Sequence, residues 1–192
     1  MSLRGIPSIG PAQAVGMPPG STNLCSNGGF ETNTTGWGTS GSSTITRTTD
    51  EALVGTHSLE IAYVDNVDFA YFSITLPAAG RYTQSVGLFI PAAWDGTAVG
   101  FRTTGFGGAG DVIVLADMTI RDAWQHLQVP FTVAADLAGL VGYMRAEGTP
   151  PTPGSVIYID AFQVELGGAT PYIETDGAPA SREPLLALAG QA

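Results

Sequence analysis

The chain has no lysine, one cysteine and two histidines in 192 residues, and each shortage removes a class of function. All seven basic residues are arginines, set against 17 acids for a net charge of −10. Phosphate backbones and anionic lipid surfaces are held by clustered positive charge. The composition therefore argues against nucleic acid as a partner, and no apolar run is long enough to insert into a membrane. Cys25 has no second cysteine to pair with and no Cys-His arrangement around it, so it reads as a half-buried strand residue. His57 and His126 stand apart, and no G-x-S-x-G, H-E-x-x-H or phosphate-loop pattern occurs. Asp65 and Asp68 lie near a turn with no spacing that marks a hydrolytic pair, and read as solvated turn acids. The expectation is a protein that is not an enzyme. Charged residues are also scarce, at 12% against about 25% in an average soluble domain. The opening segment lacks the continuous apolar core of a secretory signal. That favours assembly in the cytoplasm, with an extracellular location as the alternative.

What is present is a packing composition, 44% hydrophobic and 9% aromatic, in a chain long enough to bury a core. It divides into three parts. Residues 1–21 form an extended arm rich in proline and glycine. Residues 22–167 carry repeated strand signals. Residues 168–192 form a second arm with a helix-capable stretch at 182–190. Period-two patterns predict strands near 22–26, 43–48, 57–64, 67–76, 81–90, 97–104, 111–119, 124–132, 139–146 and 155–165. In "HSLEIAYV", Leu59, Ile61 and Tyr63 share a face; in "HLQVPFTV", Leu127, Val129 and Phe131 do. "GFGGAG" at 105–110 reads as a hairpin tip, and "TVAADLAGL" at 132–140 competes as a helical turn. The sum is an all-β fold, a two-sheet sandwich or barrel.

Two acids stand out. Glu31 follows an Asn-Gly-Gly-Phe turn, and Asp160 interrupts the apolar run "VIYIDAFQVELG". An acid in a buried strand shifts its pKa, pairs with a base, or binds a metal. No basic residue lies near either acid in sequence. A calcium ion, which takes about six to eight oxygens, would serve both. The alternative is that Glu31 caps a turn and Asp160 points to solvent.

"NLCSNGGFETNTTGW", "EALVGTHSLEI", "AWQHLQVPFTV" and "VIYIDAFQVELG", in that order, resemble the signature blocks of the family 4/9/22 carbohydrate-binding modules. The resemblance implies a galactose-binding-like β-jelly roll over roughly residues 23–166. It also implies a structural Ca²⁺ held by the Gly29 carbonyl, the Glu31 carboxylate, the Thr56 carbonyl and Asp160. The family often has a second Asp after Asp160, and this chain has Ala161. Sugar contacts in such modules come from aromatic faces with planar polar partners. Here the candidates are Trp94, Tyr71, Tyr143 and Arg102, with Trp124, Arg145 and Gln84 behind them. Trp37 and Trp124 match positions usually in the core.

The closing segment "QVELGGATPYIETDGAPASRE" is similar to the endings of such modules in bacteriophage tail and fibre proteins. That likeness implies a virion protein, a capsid decoration or minor tail component. Its arms would anchor it to neighbouring capsid or tail subunits and to copies of itself, with adhesion to host-surface glycans as a secondary implication. The alternative is a carbohydrate-binding module of a secreted polysaccharide-degrading system.

Overall fold

The computed structural model describes residues 21–106 and 112–182. Those residues form twelve strands and no helix: β1 (Thr22–Asn23), β2 (Trp37–Ser40), β3 (Thr44–Thr48), β4 (Ser58–Ala62), β5 (Phe69–Thr75), β6 (Gly80–Phe89), β7 (Ala98–Gly105), β8 (Val112–Leu115), β9 (Trp124–Val133), β10 (Ala138–Glu147), β11 (Val156–Leu166) and β12 (Ala180–Ser181). They make two five-stranded antiparallel sheets, in the orders β2-β5-β10-β7-β8 and β3-β4-β11-β6-β9, with a small β1-β12 ribbon closing the chain. This is the expected all-β sandwich.

Alternation builds the core. Along β9 every second residue from Gln125 to Val133 is buried, so Leu127, Val129 and Phe131 face inward as their spacing predicts. Leu59, Ile61 and Tyr63 are likewise fully buried. Pro130 in β9 lacks a ladder N–H, which is tolerated because β9 is the edge of its sheet. Trp37 packs among the rings of Phe30, Phe72 and Phe162, with centroids 5.1–5.7 Å away. Removing Phe162 from that cluster would cost about 3–5 kcal/mol by lost burial and cavity formation.

Several expectations change. The stretch 132–140 is not a helical turn: it ends β9 and begins β10. Asp68 is not solvated. It is fully buried and closes its turn by accepting hydrogen bonds from the amides of Ser42, Val64 and Asp65. The segment 168–182 is not wholly an arm. Ile173 and Thr175 are buried, and β12 pairs with β1 through Thr22–Ser181 and Asn23–Ala180. The folded unit therefore runs on to 182. Residues 1–20 of the expected arm at 1–21, residues 107–110 of the expected tip at 105–110 and residues 183–190 of the helix-capable stretch at 182–190 lie outside the described residues; Gly105 ends β7 and Phe106 is buried.

Candidate functional site

The turn that carries Glu31 is built by close backbone approach. The Phe162 amide donates to the Gly28 carbonyl at 2.9 Å. A Cβ on Gly28 would lie 1.9 Å from the Phe162 carbonyl oxygen, so only glycine fits. Asn27, almost fully buried, donates to the Thr35 carbonyl and accepts from the Gly177 amide. The register shift between Asp160 and Gln163 puts Ala161 at φ 51°, a bulge that brings Phe162 into the core while Asp160, like Tyr158, keeps to the outer side.

Glu31 and Asp160 do meet a common partner, the segment 53–57. Asp160 Oδ2 accepts from the amides of Leu53 and Val54, both at 2.8 Å. Glu31 Oε1 accepts from the amides of Thr56 and His57, both at 2.9 Å, and Oε2 accepts from the Thr56 hydroxyl. The two acids thus hold the loop at either end. Their environments differ. Burial pushes the Asp160 carboxyl up to about 6, against the pull of its three amide donors. Partial burial also pushes Glu31 up, but the His57 and Thr56 donors outweigh it and hold the carboxyl at about 2.

Calcium needs a shell of oxygens. What faces these carboxylates is mainly N–H, and Thr56 donates its amide and hydroxyl to Glu31. The carbonyls of Phe30 and Glu31 accept from the Arg47 guanidinium. Gly29 lies against the Tyr172 hydroxyl. Among the described residues no three acids, histidines or cysteines gather as metal ligands. In this arrangement the donor set does not fit a divalent cation. Arg47, unremarked in the sequence, supplies positive charge to the turn from β3.

The sugar candidates separate. Tyr71, Tyr143, Arg102 and Arg145 all lie on the outer face of the β2-β5-β10-β7-β8 sheet. Inward residues of the same strands, Phe72, Val141, Met144 and Phe101, belong to the core. On this face Phe69 stacks on Tyr143 with centroids 4.1 Å apart, and Phe69 lies 5.7 Å from Tyr71. Arg102 sits over the Tyr143 ring at 5.9 Å and pairs with Glu147 at 2.5 Å. Tyr71 is paired with Gly38 across the β2-β5 ladder, and its ring tip fills the space a side chain there would take. Farther along β5 and β10 an open recess is lined by Ser73, Ile74, Thr75, Ala138, Gly139 and Leu140.

Trp94 and Gln84 are corrections. Trp94 is 3% exposed and packs edge-on against Tyr63 at 5.4 Å, so its loop folds the indole into the core. Gln84 points between the sheets: its Nε2 donates to the Arg102 carbonyl and its Oε1 accepts from the Gly142 amide. That amide is displaced from the ladder by the bulge in β10. Trp124 lies half-buried on the opposite sheet beside Phe89. Phe69, the stacking partner of Tyr143, was missed in sequence. It follows the turn acid Asp68, and only the β5-β10 register brings the two rings together.

No family model matches the sequence, and no curated protein matches it. Solved structures do. The chain is similar to the N-terminal tandem of two family 22 carbohydrate-binding modules from Xyn10C of Paenibacillus barcinonensis, at 21% identity and a TM-score of 0.60, over 78% of this chain and 47% of the tandem. It therefore spans about half of that tandem's length. A xylan-binding domain of family 22 gives 16% identity and a TM-score of 0.59 over 77% of this chain and 97% of that one. TmCBM61, solved in complex with β-1,4-galactotriose, gives 18% identity and a TM-score of 0.55 over 76% of this chain and 99% of that one. At these identities the likeness establishes the fold: a β-sandwich jelly roll of the carbohydrate-binding-module type.

Proposed function

We propose that this domain binds carbohydrate without transforming it, and that the ligand lies on the outer face of the β2-β5-β10-β7-β8 sheet. The observation that carries the reading is the convergence there of Phe69, Tyr71 and Tyr143 with Arg102, Arg145 and Glu147, beside an open recess. Aromatic rings pack against the apolar faces of sugar rings, while guanidinium and carboxylate groups take the hydroxyls. Tyr143 is buried, stacked on Phe69 and close to Arg102, so it braces the site. Tyr71, half-buried over Gly38, offers the stacking surface. Two structural neighbours, a xylan-binding domain and a module solved with a galactotriose, support the same class of ligand. A panel of immobilised plant and bacterial glycans tests it: the protein should be retained by at least one polysaccharide, and retention by none would end the reading.

A virion role is a second reading, favoured by one observation. The Arg182 amide donates to the Ser21 carbonyl at 2.8 Å, so the two ends of the described fold meet at one corner. A domain tethered in that way suits display on a larger body, with neighbouring subunits or further copies holding its flanks. Mass spectrometry of purified particles would test it, and absence of the protein from every particle fraction would discard it.

A further inference from the structure

The open face carries a charge that the fold leaves unbalanced. Arg102 is neutralised by Glu147. Arg145, on the same face of β10, is not. Its Nε donates to the Asn66 carbonyl at 2.7 Å, which fixes the plane of the guanidinium. No ion pair to it forms among the described residues. The nearest outward carboxylate on its own strand is Glu147, and that side chain turns away: its stem crosses Gly100, and its Oε1 reaches Arg102. Arg145 stands in register with Phe69 on one side and Gly100 on the other, so it borders the aromatic cluster directly.

Asp65 and Asp68 lie in the turn that carries Asn66 but accept hydrogen bonds from its backbone amides, and a half-buried, oriented guanidinium without an ion-pair partner is best met by a carboxylate, because charge-assisted hydrogen bonds are roughly twice as strong as neutral ones. The rest of the molecule limits how much negative charge the partner can carry. With a net charge of −10, the protein repels a densely charged polyanion at long range. One unbalanced arginine on an acidic body selects a sparsely charged ligand.

Building on the carbohydrate reading above, we infer that this face prefers a neutral polysaccharide bearing scattered uronate side groups, and that Arg145 meets the uronate carboxylate. The sugar rings stack at Tyr71 and run along β5 and β10, and the side-group carboxylate takes the terminal nitrogens of Arg145. A polyuronate, with a charge on every residue, binds worse than either.

The test is affinity electrophoresis in gels containing glucuronate-substituted xylan, and in gels containing the same xylan after chemical reduction of its carboxyl groups. The expected result is retardation about tenfold stronger by the substituted polymer. Arg145→Gln should bind the two polymers equally, with its melting temperature recorded because the Asn66 contact is lost. Arg145→Lys keeps the charge without the planar fork and should retain part of the preference. Equal retardation of the wild type by both polymers overturns the uronate preference and leaves the carbohydrate reading standing. So does binding to neither alongside binding to another, neutral glycan. A Lys variant indistinguishable from the Gln variant assigns Arg145 to holding the Asn66 turn and also overturns it. Binding to no glycan of any kind overturns both readings.

Discussion

The two outer faces of the sandwich are unlike each other. At the centre of one sheet, β11 is buried on both sides. Tyr158, Asp160, Gln163 and Glu165 point away from the core, yet none is more than 8% exposed. Segments from elsewhere in the chain cover them. Leu53 settles over Gly87 while its amide is held by Asp160. Thr170 takes both oxygens of Glu165, and the Ile173 amide donates to Gln163. At the centre of the other sheet, Leu140, Arg145 and Glu147 of β10 remain half-exposed. Polar groups on the first face are spent on the chain itself. Those on the second, Arg102, Arg145 and Glu147, lie beside aromatic rings and stay half-exposed. Acids singled out in a sequence can thus mark the closed face, while the face proposed to take the ligand holds residues with no motif.

That contrast can be broken at the covered face first. Gly28→Ala sets a methyl group against the Phe162 backbone and should destabilise the fold by about 3 kcal/mol, read by chemical denaturation. Arg47→Ala removes the donor to the Phe30 and Glu31 carbonyls. It should cost about 2 kcal/mol, as expected for hydrogen bonds from a charged group. Neither substitution touches the open face, so the variants that remain folded should bind glycan as the wild type does.

The acids give the covered face a pH signature. Asp160 is raised to about 6 from an ordinary value of 3.8, so its contribution is full below 3.8 and is lost as pH rises through 6. Glu31 is lowered to about 2 from 4.5, so its contribution is full above 4.5 and is lost as pH falls through 2. The melting temperature should therefore rise as pH drops from 7.5 to 5, and Asp160→Asn should lack that rise. The smallest expected effect is that of a chelator. With amides and Arg47 around the turn, EDTA should leave the melting temperature unchanged. A fall of several degrees, abolished by Asp160→Ala, would instead place an ion there.

Much of the fold was legible because alternation is local. Each long strand shows its inward face in its own sequence, as Leu59-Ile61-Tyr63 and Leu127-Val129-Phe131 do. The pieces that escaped lack that signal. β2 lies among Gly36, Gly38 and Gly41 and reads as loop, and β12 is two residues whose only reason to be extended is β1, some 159 positions earlier. The coupling of Glu31 with Asp160 was visible as two acids in improbable places. Their shared partner was not, because amide donors carry no sequence mark. Trp94 misled for the opposite reason: a tryptophan in a proline-flanked loop looks exposed, but the loop folds it onto Tyr63.

The central claim is that the open face is the ligand face, and one pair of variants tests it directly. Tyr71→Ala removes the stacking ring there. Trp124→Ala removes a half-buried aromatic from the opposite sheet. In affinity electrophoresis against a polysaccharide that retards the wild type, Tyr71→Ala should lose at least about tenfold in affinity, or about 1.4 kcal/mol, while Trp124→Ala, if folded, keeps it. Retardation that survives Tyr71→Ala and disappears with Trp124→Ala would contradict the account.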